Sequence, residues 1–131
     1  MGRLLNQFEK HFTVKEANAL LPQIVSIFER IGALREELDE RQTDLEGVHR
    51  AAPGNGGHHD GPELVTRSEM IGRLLLEVEN LGAVVKDPDS GLIDFPHLRD
   101  GQEVFLCWKL GEKSVAHWHE LDAGFQGRQS L

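Results

Sequence analysis

Residues 103–110 read Glu-Val-Phe-Leu-Cys-Trp-Lys-Leu, and this stretch decides the fold class. Val104, Leu106, Trp108 and Leu110 alternate with Glu103, Phe105, Cys107 and Lys109, the period of two expected of a strand with one face turned inward. Turn-forming residues bracket it, Asp100-Gly101 before and Gly111-Glu112-Lys113-Ser114 after. Upstream, residues 83–86 and 92–95 flank the turn-rich Asp87-Pro88-Asp89-Ser90-Gly91; downstream, residues 115–121 resume the pattern. The expectation is an antiparallel meander of three or four strands over residues 83–131, with a C-terminal tail.

Ahead of Gly82 the period is helical. Thr13-Val14-Lys15-Glu16 has the Thr-x-x-Glu spacing of a capping box, so a helix should start there. Leu20, Ile24, Ile27, Ile31, Leu34, Leu38, Leu45 and Val48 then recur in steps of three and four, broken at Arg41, as in a coiled-coil seam. Continued to residue 50, this is a rod of roughly 55 Å. Pro22 lacks a backbone donor, which predicts a kink near residues 18–22 or two abutting helices. Residues 51–62, AAPGNGGHHDGP, are too rich in Gly and Pro for regular structure and read as a flexible connector. The helical pattern resumes at Leu64, Ile71, Leu74, Val78 and Leu81, with Gly82 as its stop. The two segments predict a long antiparallel helical hairpin, and helices followed by strands make the class α+β. The second helix is too short to cover the first. The broad stripe Ala17, Leu20, Leu21, Ile24, Val25, Ile27, Phe28 and Ile31 is therefore left over, which predicts a homodimer through the first helix.

The 131 residues, 39% hydrophobic and 27% charged, suit one domain with a single core. Fourteen basic against 22 acidic side chains give a net charge of −8. The imbalance holds on both sides of Gly82, so neither nucleic acid nor an anionic membrane is an expected partner. Cys107 is the single cysteine and cannot form an internal disulfide. MGRLLNQFEK lacks the apolar run of a secretory signal, Asn6 stands where myristoylation wants Ser or Thr, and no stretch is long enough to span a membrane. A cytoplasmic protein is expected.

Several motifs stand out together: Phe12-Thr13-x-x-Glu16-Ala17-x-x-Leu20-Leu21-Pro22, Gly91-Leu92-Ile93-Asp94-Phe95-Pro96, Cys107-Trp108-Lys109-Leu110-Gly111-Glu112, His117-Trp118-His119-Glu120 and Gly124-Phe125-x-Gly127-Arg128. In these the chain resembles the bacterial domain of unknown function family 2203, over nearly its whole length apart from the connector. The resemblance implies a compact helix-plus-strand domain and brings no functional residues with it.

The constellation with chemical content is His117-Trp118-His119-Glu120-Leu121-Asp122. On a strand, His117 and His119 project from one face about 7 Å apart, a spacing from which two imidazoles converge on a divalent metal such as zinc. Asp122 continues the parity as a third ligand, Glu120 faces away, and Asp94, His58 or His59 would come from elsewhere. His58-His59-Asp60 alone would have to order a Gly-rich loop. Cys107 reads as a buried, inert thiol with no histidine in a catalytic pattern beside it. Trp108, Trp118 and Arg128 are candidates to surround a small ligand, with Arg128 offering its planar fork to an anion or, more simply, to an acidic neighbour. There is no phosphate loop or nucleophile elbow. The leading expectation is a non-enzymatic, self-associating interaction protein whose cofactor is none or unknown. The alternative is a small divalent-metal-binding protein or metal-dependent hydrolase built on His-x-His.

Overall fold

The computed structural model describes residues 6–51 and 61–131, the side chains of 39–51 and 61–65 excepted. Two helices, α1 (Val14–Ala51) and α2 (Gly61–Asn80), precede five strands: β1 (Val84–Asp87), β2 (Leu92–Arg99), β3 (Gln102–Lys109), β4 (His117–Glu120) and β5 (Gln129–Ser130). The strands form one antiparallel sheet in sequence order, and a short 3-10 turn at Phe125–Gly127 leads into β5. The fold is α+β. The expected connector falls largely on residues 52–60, and with it His58, His59 and Asp60 lie outside the described residues.

The start of α1 follows from its capping box. Thr13 N–H donates to Glu16 Oε1 at 2.9 Å and Glu16 N–H to Thr13 Oγ1 at 3.0 Å, so each side chain satisfies a backbone donor that the first turn leaves free. At the far end of the hairpin, Gly82 adopts φ +108°, and the Phe12 ring lies where a side chain at this position would project. Only glycine suits both demands.

Two expectations need correction. The kinked or divided first helix is a single helix of 38 residues that runs through Pro22. Pro22 still removes the donor for the Asn18 carbonyl, but its ring is exposed while Leu21 and Ile24 on either side are buried, and that packing carries the helix across the gap. The sheet has five strands rather than three or four. β5 is two exposed residues paired to His117 and Trp118, too short to leave an alternation pattern in the sequence. Leu110, placed by alternation on the inward face, falls just past the end of β3 and is exposed.

The wide stripe on α1 is covered within the chain. Ala17, Leu21, Ile24, Ile27, Phe28 and Ile31 pack in one core with Leu74 and Val78 of α2 and with Ile93, Phe95, Leu106, Trp108 and Val115 from the strand half. Asn18 Oδ1 accepts the Val115 N–H at 2.7 Å, and Arg35 reaches the Pro88 carbonyl at 3.2 Å, tying α1 to the β3–β4 link and to the β1–β2 turn. Leu20 and Val25, at the edge of the stripe, are only partly buried against this core.

Two substitutions test this account. Thr13→Ala should lower unfolding free energy by about 1 kcal/mol with an unchanged denaturant slope. Pro22→Ala should raise it by about 2 kcal/mol, because it restores the donor to Asn18 and loses little buried surface. A loss of stability in Pro22→Ala would show that the proline is packed.

Candidate functional site

Register divides the sheet residues between two environments. Ile93, Phe95, Leu106 and Trp108 join the core against the helices. The intervening residues Asp94, Pro96, Phe105, Cys107, His117 and His119 share the other face, where Cys107 stands between Asp94 and His117, and Phe105 between Pro96 and His119. On that second face Asp94, Cys107 and His119 are each only 1% exposed.

These three side chains meet. His119 Nε2 lies 3.0 Å from both Asp94 carboxylate oxygens, and His119 Nδ1–H donates to the Glu120 carbonyl at 2.7 Å. Because a carbonyl can only accept, Nδ1 carries a proton, and Nε2 then faces the carboxylate with one more proton shared between them. The pair is therefore either imidazolium with carboxylate or imidazole with carboxylic acid. The Cys107 thiol donates to the same carboxylate. Burial pushes Asp94 above its ordinary value, against the opposing influence of His119, Cys107 and Lys86. Burial and then the charge of Asp94 push the Cys107 thiol up to about 12. Among the described residues, Asp94, Cys107 and His119 bring one imidazole nitrogen, one sulfur and one carboxylate oxygen within 4.8 Å of one another.

Charged and aromatic groups border the cluster. Lys86 Nζ is 3.9 Å from Asp94 Oδ2 and 4.5 Å from the centre of the Phe105 ring, which lies 5.6 Å from the His119 ring. Arg128 stacks on Phe125 at 4.6 Å and through Nη2 meets Glu112 Oε1 at 2.8 Å, His117 Nδ1 at 3.0 Å and the Cys107 carbonyl at 3.4 Å. Its Nε is buried without a partner. Phe8 packs edge-on against Phe105 at 5.4 Å, and Glu103 accepts the Gln7 and Phe8 N–H groups at 2.8 and 3.0 Å.

Of the residues singled out by sequence, His119 belongs to the cluster. His117 shares its face, but its Nδ1 accepts from Arg128 and so the ring proton sits on Nε2. Asp122 follows the end of β4 and is exposed, because the strand stops at Glu120 and parity no longer governs it. Trp108, with Nε1–H bonded to the Glu112 carbonyl, and Trp118 pack with the helix-side core, whereas Arg128 lies across the sheet from them. The anticipated acidic neighbour of Arg128 is Glu112. By sequence, Asp94 enters only as a ligand from elsewhere in the chain and Cys107 only as an inert thiol. The signal for both was parity: Asp94 sits between Ile93 and Phe95 in a strand, so a carboxylate there must point away from the apolar layer.

The donor set limits the chemistry. A thiol held near 12 stays protonated at neutral pH, and His119 Nε2 points at Asp94 rather than at sulfur, so Cys107 and His119 do not form a nucleophile and base pair. Nitrogen, sulfur and oxygen converging in a dry site form a ligand set for a transition-metal ion. The segments Gly91–Pro96, Cys107–Glu112, His117–Glu120 and Gly124–Arg128, far apart in sequence, all contribute to this one face.

Comparison with curated proteins and with solved structures gives no match. The family model described as an uncharacterized conserved protein, DUF2203, matches residues 10–131, nearly the whole chain, and the protein belongs to that family.

Proposed function

We propose that this domain binds one divalent transition-metal ion, zinc by preference, through His119 Nε2, Cys107 Sγ and Asp94. One observation carries the reading: three chemically different donors, from three neighbouring strands, are buried with their ligand atoms within 4.8 Å of one another. A thiolate and a carboxylate balance a divalent charge, and sulfur with imidazole favours zinc over magnesium or calcium. The Nδ1–H bond of His119 to the Glu120 carbonyl is the outer-shell contact that turns the opposite nitrogen toward a metal. Three protein ligands leave one coordination position for water or another donor. In this reading the His-x-His expectation survives through His119 alone, with Cys107 and Asp94 replacing His117 and Asp122.

The decisive experiment is metal analysis of protein purified without an affinity tag, combined with cobalt(II) substitution. One equivalent of metal is expected, with a thiolate-to-cobalt charge-transfer band that disappears in Cys107→Ala. His119→Ala should also lose stoichiometric metal, while His117→Ala and Asp122→Ala retain it. Circular dichroism of each variant separates loss of a ligand from loss of the fold. Protein that carries no metal, takes up no cobalt and shows no thermal shift with zinc overturns the proposal.

Proton counting gives a second test. Coordination must expel the thiol proton of Cys107, held up to about 12, and the proton shared by Asp94 and His119. Calorimetry in buffers of different ionisation enthalpy should therefore show about two protons released per zinc near pH 7, with affinity falling as pH falls. Release of no protons would contradict this ligand set.

A further inference from the structure

Lys86 occupies an irregular position. The register of β1 against β2 runs Val85 to Ile93 and then Asp87 to Leu92, leaving Lys86 as the extra residue of a β-bulge without a cross-strand partner. From there its side chain reaches the cluster face, with Nζ 3.9 Å from Asp94 Oδ2 and 4.5 Å from the Phe105 ring centre. The side chain is 39% exposed, whereas that of Asp94 is 2% exposed, so a hydrated cation is held against a buried anion. Four flexible carbons let the ammonium move into water while its stem stays on the ring.

We propose that Lys86 is a built-in competitor for the metal, an internal cation that sets the affinity of the site. The inference rests on the metal-binding reading of Asp94, Cys107 and His119. A divalent ion roughly 2 Å from an Asp94 oxygen would face the ammonium at short range across a poorly solvated surface. Like charges so placed repel strongly, and the partly exposed lysine is the partner free to leave. Binding thus exchanges one cation for another at Asp94, and the work of displacing Lys86 is subtracted from the intrinsic affinity of the ligands. A purely structural ion pair and ring contact carries no such sign: removing it would leave zinc affinity unchanged or weaken it by loosening the site.

Zinc titrations against a chromophoric chelator, on wild-type protein, Lys86→Met and Lys86→Arg, test this directly. Lys86→Met keeps an apolar stem over Phe105 and removes the charge; it should bind zinc at least about tenfold more tightly, whereas Lys86→Arg should stay close to wild type. A second readout uses wild-type protein alone. Acetylation of Lys86 followed by mass spectrometry should quicken when zinc is added, because the ammonium is driven into solvent. Unchanged or weaker zinc binding by Lys86→Met, alongside wild-type binding that is lost in His119→Ala, overturns the role of Lys86 and leaves the metal site standing. Absence of zinc binding in both wild type and Lys86→Met overturns both.

Discussion

Burying the Asp94 carboxylate is the constraint around which the second face of the sheet is arranged. Taking a carboxylate out of water costs several kcal/mol, of the order found for buried ions generally, unless charge and hydrogen bonds are supplied in its place. Here the supply comes from three directions: His119 Nε2 at 3.0 Å, the Cys107 thiol, and the Lys86 ammonium at 3.9 Å. Each comes from a different strand, so the cluster exists only when β1, β2, β3 and β4 are in register. Both nitrogens of His119 are committed, one to a carbonyl and one to the carboxylate, which fixes the ring and holds one proton between it and Asp94.

The helices make that arrangement affordable by taking the opposite face. α1 presents Ala17, Leu21, Ile24, Ile27, Phe28 and Ile31 to both α2 and the sheet, which absorbs the apolar half of every alternating strand. Once Ile93, Leu106 and Trp108 point at the helices, Asp94, Cys107 and Phe105 have no choice but the other side. The cluster is a consequence of the core packing as much as of the residues that form it.

Much of this architecture was legible in the sequence. The capping box at Thr13 and Glu16, the three-four spacing from Leu20 onward, the glycine stop at Gly82 and the alternation of residues 103–109 all encode local geometry, and local geometry shows as period. The uninterrupted passage through Pro22 was not legible, because tertiary packing of Leu21 and Ile24 overrides a missing hydrogen bond. Nor was the covering of the α1 stripe, since a wide apolar face reads the same whether a sheet or a second chain lies on it. For the site, parity showed that His117 and His119 share a face, but not that Arg128 would hold the first while Asp94 met the second. Those pairings depend on the register between strands, which no single stretch records. β5 was lost for the same reason, as two exposed residues carry no pattern.

The central claim is that one sulfur, one imidazole and one carboxylate hold a metal ion. X-ray absorption at the zinc edge of the loaded protein addresses it most directly, since sulfur and light-atom ligands differ in distance. The account predicts a four-coordinate shell with one sulfur at about 2.3 Å and nitrogen or oxygen at about 2.0–2.2 Å. A shell of nitrogen and oxygen alone would contradict it, because it would place the ion away from Cys107.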